Sequence, residues 1–146
     1  MRICEMGRSL AFVVGFSLSS ACLAVTDGKT SDNTDLVNDL AKCSATHTTN
    51  IMILRAGGQN TDRLVPVTEW FYNAAVALSS EGTTKGLFTA HYKRYLATNG
   101  EIQKMNKDAQ LIAAKKFLAT LNHDMDDCDQ LKSANEALLS RYLKKP

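Results

Sequence analysis

Residues 36–54 read LVNDLAKCSATHTTNIMIL and place an apolar stripe along one side of a helix. Its members follow one another at steps of three or four, the spacing that brings side chains to one helix face. The stripe consists of Leu36, Leu40, Cys43, His47, Ile51 and Leu54. The sequence therefore predicts a first helix that is capped by Asp32 or Asn33 and ends at Gly57, with Cys43 facing inward.

The next two segments have the same period. A second helix is predicted from about Asp62 to Ser80, with Pro66 in its first turn and the core stripe centred on Phe71. A third is predicted from about Thr84 to Thr98, with Asn99-Gly100 as its stop. No alternation of apolar and polar residues typical of a strand follows the first two dozen residues. The predicted fold class is all-α, a small bundle of four to five helices.

The last part of the chain is predicted to hold two helices. The first runs from Glu101 to about Asn122 and includes AQLIAAKKFLATL, residues 109–121, which is apolar on two opposite faces. Such a helix needs neighbours on more than one side, so this stretch is predicted to be the central element of the bundle. NHDMDD, residues 122–127, offers good caps, and we predict a break there. A final helix then presents the stripe Met125, Cys128, Leu131, Leu138 and Tyr142.

The amino-terminal residues 1–24 have the pattern of a secretory signal peptide. Arg2 and Arg8 precede a nearly uncharged stretch, residues 9–25, and Ala24 is a suitable cleavage site. Residues 25–31 are predicted to be a flexible lead-in, and residues 32–146 a single helical domain. The expected location is the periplasm or the medium. Cleavage after Ala21 is the alternative, because it makes Cys22 available for a lipid anchor to the cell envelope.

The predicted signal peptide determines which cysteines remain in the mature chain. Of the four, Cys4 and Cys22 leave with the signal peptide, so Cys43 and Cys128 remain. An even pair without CxxC spacing in an oxidising compartment is typical of one structural disulfide. Both residues lie on inward stripes, so the bond is predicted to clamp the first helix to the last.

Composition and the absence of known motifs narrow the range of functions expected for this chain. A net charge of +2 on 146 residues is too small for the basic field that nucleic-acid binding needs, so no nucleic-acid partner is expected. The aspartates 124, 126, 127 and 129 lack the glycine and glutamate of a calcium loop, and the three histidines lack zinc spacing. Neither GxSxG nor a phosphate loop is present. We therefore predict no catalytic residues, no metal and no cofactor.

Binding by surface shape is the remaining class. In size, export and helical content the chain is similar to periplasmic immunity and inhibitor proteins, and this likeness implies a protein partner. The alternatives are a structural or assembly component of a cell-envelope, secretion or conjugation system, and a bundle that binds a small molecule. The consecutive rings of residues 70–72 cannot share one face. The predicted partner-binding residues are Trp70, Tyr72, Gln59, Asn60 and Arg63, in helix 2 and the polar loop before it.

Overall fold

The computed structural model describes residues 30–143, with side chains described from residue 33. Four helices make up almost all of this range, and no strand occurs within it. They are α1 (Thr30–Ala56), α2 (Val65–Leu78), α3 (Glu81–Gln103) and α4 (Lys107–Leu143). The predicted all-α bundle, with its first and last helices joined by a disulfide, is confirmed.

The helices alternate in direction along the chain. Along α1, Asn38 pairs with His91 and Thr46 with Tyr95, so α3 runs parallel to α1. Helix α2 runs antiparallel to α1, because Val37 lies beside Leu78 while Ser44 donates to the Thr68 carbonyl. Helix α4 is also antiparallel to α1, because Cys43 is bonded to Cys128 while Ile53 lies beside Phe117. The core lies between α1, α2 and α4, with Leu87 of α3 packed against it, and is built from Val37, Leu40, Cys43, Phe71, Ala74, Ala75, Cys128 and Leu139.

Several helix ends differ from the prediction: α1 begins at Thr30, before the predicted caps Asp32 and Asn33, α2 spans Val65–Leu78 rather than residues 62–80, and α4 begins at Lys107 rather than Glu101. Helix α3 begins at Glu81, three residues before the predicted start, and Ser80 caps it by accepting a hydrogen bond from the backbone N–H of Thr83. At its other end α3 continues through Asn99-Gly100 to Gln103, because Ile102 is buried in the extra turn. A glycine inside a helix costs only about 1 kcal/mol, so burial of a large apolar side chain can outweigh it. The predicted stop at Asn99-Gly100 is therefore wrong.

The predicted break at residues 122–127 is also wrong, since α4 is a single helix of 37 residues. Leu121 and Cys128 are seven residues apart, so they lie on the same face of a continuous helix, and both are buried. Asp124 continues that face and binds Lys42 of α1. Aspartates and asparagine permit a helix to end, but here burial on both sides of them keeps the helix intact.

The central element is α1 rather than residues 109–121 of α4. Helix α1 packs against all three other helices, most extensively against α2 and α3. Residues 109–120 include no buried side chain, and the fractional exposures of Leu111 and Ile112 are 58% and 71%. Helix α2 reaches α4 in its carboxyl-terminal half, where Lys132 lies over the Trp70 ring. Within the described residues, the grooves along the amino-terminal half of α4 are lined by α1 and α3.

The disulfide joins the middle of α1 to the middle of α4. Cys43 and Cys128 have Cα atoms 5.5 Å apart, a separation that a disulfide spans without backbone movement. Both residues are buried, and the bond closes a segment with a sequence separation of 85. It therefore ties α4, which buries few side chains of its own, to the central helix.

One core side chain is polar and titratable. His47 is 6% exposed, its ring stacks on Phe71 with centroids 5.3 Å apart, and its Nε2 has no hydrogen-bond partner. Burial lowers the pKa of His47 below 6.5, Lys132 acts in the same direction, and Asp129 opposes both. The neutral imidazole is therefore the form that the core accommodates.

Acid should weaken the fold through this residue. Because the pKa of His47 is lower in the folded than in the unfolded state, its contribution is complete above pH 6.5 and is lost as pH falls towards the folded-state pKa. We expect His47→Leu to reduce the slope of unfolding free energy against pH between pH 7.5 and 5, as measured by urea denaturation.

His123→Gln is the matched control, because the His123 side chain is 77% exposed, and the acid dependence should persist in it. His91, whose pKa burial also lowers, contributes in the same direction and remains in both variants. Equal slopes in wild type and His47→Leu would contradict the prediction.

Candidate functional site

The amino-terminal half of α4 and the ends of α1 and α3 form an apolar surface with two adjoining grooves. The larger has a volume of about 580 Å³ and the smaller about 170 Å³, and Ile53, Asn99 and Phe117 line both. We call this surface the apolar end and define it by Met52, Ile53, Leu96, Leu111, Phe117 and Leu118. Four of these six are exposed large hydrophobic residues, namely Met52, Leu96, Leu111 and Leu118.

The position of this surface follows from the lengths of the helices. Helix α2 has 14 residues and α4 has 37, so α2 covers only part of α4. Asn106 caps α4 by accepting a hydrogen bond from the backbone N–H of Ala109, and the apolar residues begin in the next turn. Leu111 and Leu118 are seven residues apart and share one face, and both side chains remain exposed.

The rim of the apolar end is polar and nearly neutral. It contains the amides of Asn99, Gln103 and Gln110, and the Gln110 side chain donates to Gln103 across 3.3 Å. Lys107 and Asp108 add one positive and one negative charge. An apolar centre containing methionine and phenylalanine inside a polar rim of balanced charge has the anatomy of a protein–protein interface.

A polar network links α1, α3 and α4 beside this surface. The Tyr95 hydroxyl donates to the Asp124 carboxylate across 2.9 Å, and Lys42 donates to the other carboxylate oxygen across 2.8 Å. Thr46 lies 2.9 Å from the Tyr95 hydroxyl. Burial raises the pKa of Tyr95 to about 12, with the Thr46 hydrogen bond opposing and Asp124 reinforcing the shift. Tyr95 is therefore a neutral hydrogen-bond donor that fixes helix positions.

The structure separates the five partner-binding residues predicted from sequence. Phe71 is fully buried, while Trp70 and Tyr72 are half-buried on opposite flanks of α2. Trp70 faces α4, where Lys132 Nζ lies 5.1 Å from its ring centroid, and Tyr72 packs edge-on against Phe88 of α3. The loop residues Gln59, Asn60 and Arg63 are exposed. The two rings do not form one patch, and partner binding by these five residues stays a prediction.

Sequence reasoning missed Leu111 and Leu118 as surface residues. Their signal was visible as the second apolar face of residues 109–121, which we interpreted as contact with another helix of the same chain. The residues of the predicted leader, including the alternative anchor Cys22, lie outside the described residues.

Within residues 33–143, no group of three or more histidine, cysteine, aspartate or glutamate side chains is placed to hold a metal ion. In the same part of the chain, no helix is both long and apolar enough to cross a membrane.

Comparison with known proteins found no match to this chain among protein-family models, curated proteins or solved structures.

Proposed function

We propose that this chain is an exported, non-enzymatic protein-binding module, comparable in kind to a periplasmic immunity or inhibitor protein, and that the apolar end is its contact surface. The observation that carries the proposal is the exposure of Leu111 and Leu118, at 58% and 41%, on one face of α4. Apolar side chains grouped in this way on a small protein mark an interaction site. The signal-like leader and the buried disulfide support export.

The rim favours a protein as the occupant. A nucleic acid or an anionic membrane requires clustered cations, whereas amides and one balanced charge pair surround the apolar end. Neutral amides suit a partner that presents backbone and side-chain hydrogen-bonding groups around an apolar patch. A structural component of a secretion or envelope assembly needs the same surface, and the identity of the captured partner separates that alternative from an inhibitor.

The test is the double variant Leu111→Ser/Leu118→Ser. We expect it to weaken partner capture from periplasmic extract at least tenfold, since about 1.4 kcal/mol corresponds to a factor of ten. Its melting temperature should change little, because neither side chain is buried. Retained protein is identified by mass spectrometry, and its affinity for each variant is then measured with purified components.

Leu138→Ser is the matched control, since Leu138 is 40% exposed at the other end of the same helix. It should bind as the wild type does. Equal affinity of the double variant and the control would refute the assignment of the apolar end. A wild-type dimer that Leu111→Ser/Leu118→Ser dissociates would identify the occupant as a second copy of the chain and would overturn the proposed heterologous partner.

A further inference from the structure

A third groove, apart from the two of the apolar end, lies between α3 and α4 and is also lined by Phe117. It differs from the apolar end in charge. Its volume is about 550 Å³, within the range of about 300–1,000 Å³ that small-molecule sites occupy. The apolar part of its wall consists of Ile102, Met105, Ala113 and Phe117. Arg94 and Lys116 also line it, and we call it the cationic groove.

The charges of this groove do not cancel. Two other charged residues line the groove, and each has a partner of opposite charge. Lys42 is bound to Asp124 at 2.8 Å, and Glu101 is bound to Lys104 at 2.7 Å. Among the described residues, no carboxylate lies within 4.0 Å of Arg94 or Lys116. Two uncompensated positive charges therefore lie beside an apolar wall.

The pKa of a neighbouring histidine is lowered in part by positive charges that line the same groove. His91 lines the groove, and its Nε2 lies 3.0 Å from Asn38 Oδ1. Burial lowers the pKa of His91, with Arg94 and Lys42 adding to the effect and Asp39 opposing it. The groove therefore disfavours a further cation and favours an anion.

We propose that the cationic groove binds a free single-chain amphiphile with an anionic head group, the head at Arg94 and Lys116 and the chain along Ile102, Ala113 and Phe117. The apolar wall matches a hydrocarbon chain, and the two cations match a carboxylate or sulfate. This site shares Phe117 with the apolar end, but its two cations Arg94 and Lys116 do not line that surface, and the proposal does not depend on the proposed protein partner.

The shape favours a free molecule over a membrane or an acidic protein segment. Ile102 is buried and Ala113 and Phe117 are half-buried, so the wall is recessed between two helices and is reached by a chain that enters it. A bilayer surface contacts protruding apolar side chains instead. A helical peptide is about 10 Å across, which makes even two turns of it too bulky for this groove to enclose.

The test is calorimetric titration with dodecanoate below its micelle concentration. We expect one molecule to bind per chain and Arg94→Glu/Lys116→Glu to weaken binding at least tenfold. The matched control is Lys93→Glu/Lys115→Glu, which reverses the neighbouring lysines on the same two helices, outside the groove lining, and should change the affinity less than threefold. All four side chains are exposed, so circular dichroism should show both variants folded.

A second pair of measurements addresses the chain and the source. Ala113→Trp should block dodecanoate by filling the groove. Dodecyltrimethylammonium, which has the same chain and the opposite charge, should bind at least tenfold more weakly. The proposal is overturned if the ammonium binds equally well, if the charge reversals at residues 94 and 116 leave the affinity unchanged, or if the protein binds anionic phospholipid vesicles and not dodecanoate.

Discussion

Replacing Cys43 and Cys128 together by alanine is expected to lower the free energy of unfolding by about 2–5 kcal/mol. The bond closes a segment with a sequence separation of 85, so its loss restores many conformations to the unfolded chain. Alanine keeps the buried positions apolar and introduces no unsatisfied hydroxyl. Urea denaturation monitored by circular dichroism gives the difference directly.

The control for this variant is the wild type itself under reducing conditions. With dithiothreitol in the denaturant, the wild-type midpoint should approach that of Cys43→Ala/Cys128→Ala, since both then lack the cross-link. Titration of denatured, unreduced wild type should find no free thiol at residues 43 and 128. Two reactive thiols there, or a variant as stable as the oxidised wild type, would contradict the prediction.

The loss should be greatest in α4. That helix contributes Leu121, Cys128 and Leu139 as its buried residues, whereas α1 packs more extensively against its neighbours and buries many more side chains. Without the covalent tie, α4 is held by few apolar contacts and by the Lys42–Asp124 ion pair. Hydrogen exchange should therefore show a larger loss of protection in α4 than in α1 when the disulfide is removed.

The fold class and the disulfide could be predicted because each depends on local pattern. The three-and-four spacing around Cys43 decides which side of α1 faces inward, and the same spacing places Cys128 on the inner face of α4. Two inward cysteines on helices that must pack together leave little freedom in the pairing. The apolar spacing and the position of the cysteine within each helix were sufficient for these conclusions.

The course of α4 could not be predicted in the same way. Residues 122–127 contain good capping groups, but the helix continues because Leu121 and Cys128 are both buried against neighbours that only the tertiary structure supplies. Two opposite apolar faces in residues 109–121 indicate that cover is needed. They do not indicate whether another helix of the chain or an external molecule provides it, and among the described residues Leu111 remains 58% exposed.

The candidate surfaces share this origin. The apolar end and the cationic groove both lie along the amino-terminal half of α4, and within the described residues their walls come from α1, α3 and α4, with no residue of α2. The sequence predicts Trp70 and Tyr72 as partner-binding residues with at least one of them accessible, and in the structure each is half-buried against another helix. Aromatic residues are readily chosen from a sequence as candidate contacts, whereas the exposure of a leucine depends on the lengths of the neighbouring helices.

Phe71→Ala is expected to lower the free energy of unfolding by about 3–5 kcal/mol, the usual cost of truncating a fully buried aromatic side chain. Phe71 is completely buried, and its ring lies between the stacked His47 ring and the edge-on Trp70 ring, 5.3 and 5.2 Å away. The stacked His47 ring joins α1 to α2, so the cavity that alanine leaves at residue 71 lies in the core between these helices. Urea denaturation at pH 7.5, where His47 is neutral, measures this loss of unfolding free energy without a contribution from protonation of His47.

Phe88→Ala is the matched control, because Phe88 is half-buried against Tyr72 and Tyr92 at the edge of the bundle. It should cost less than half as much, since its surroundings can relax and solvent already reaches the ring. The cavity left by Phe71 borders the His47 ring, whose Nε2 has no partner in the wild type. Water that enters it can solvate the imidazolium, so the pKa of His47 measured by NMR should rise towards 6.5 in Phe71→Ala and stay unchanged in Phe88→Ala. Equal losses of stability in the two variants would show that Phe71 is not the centre of the core.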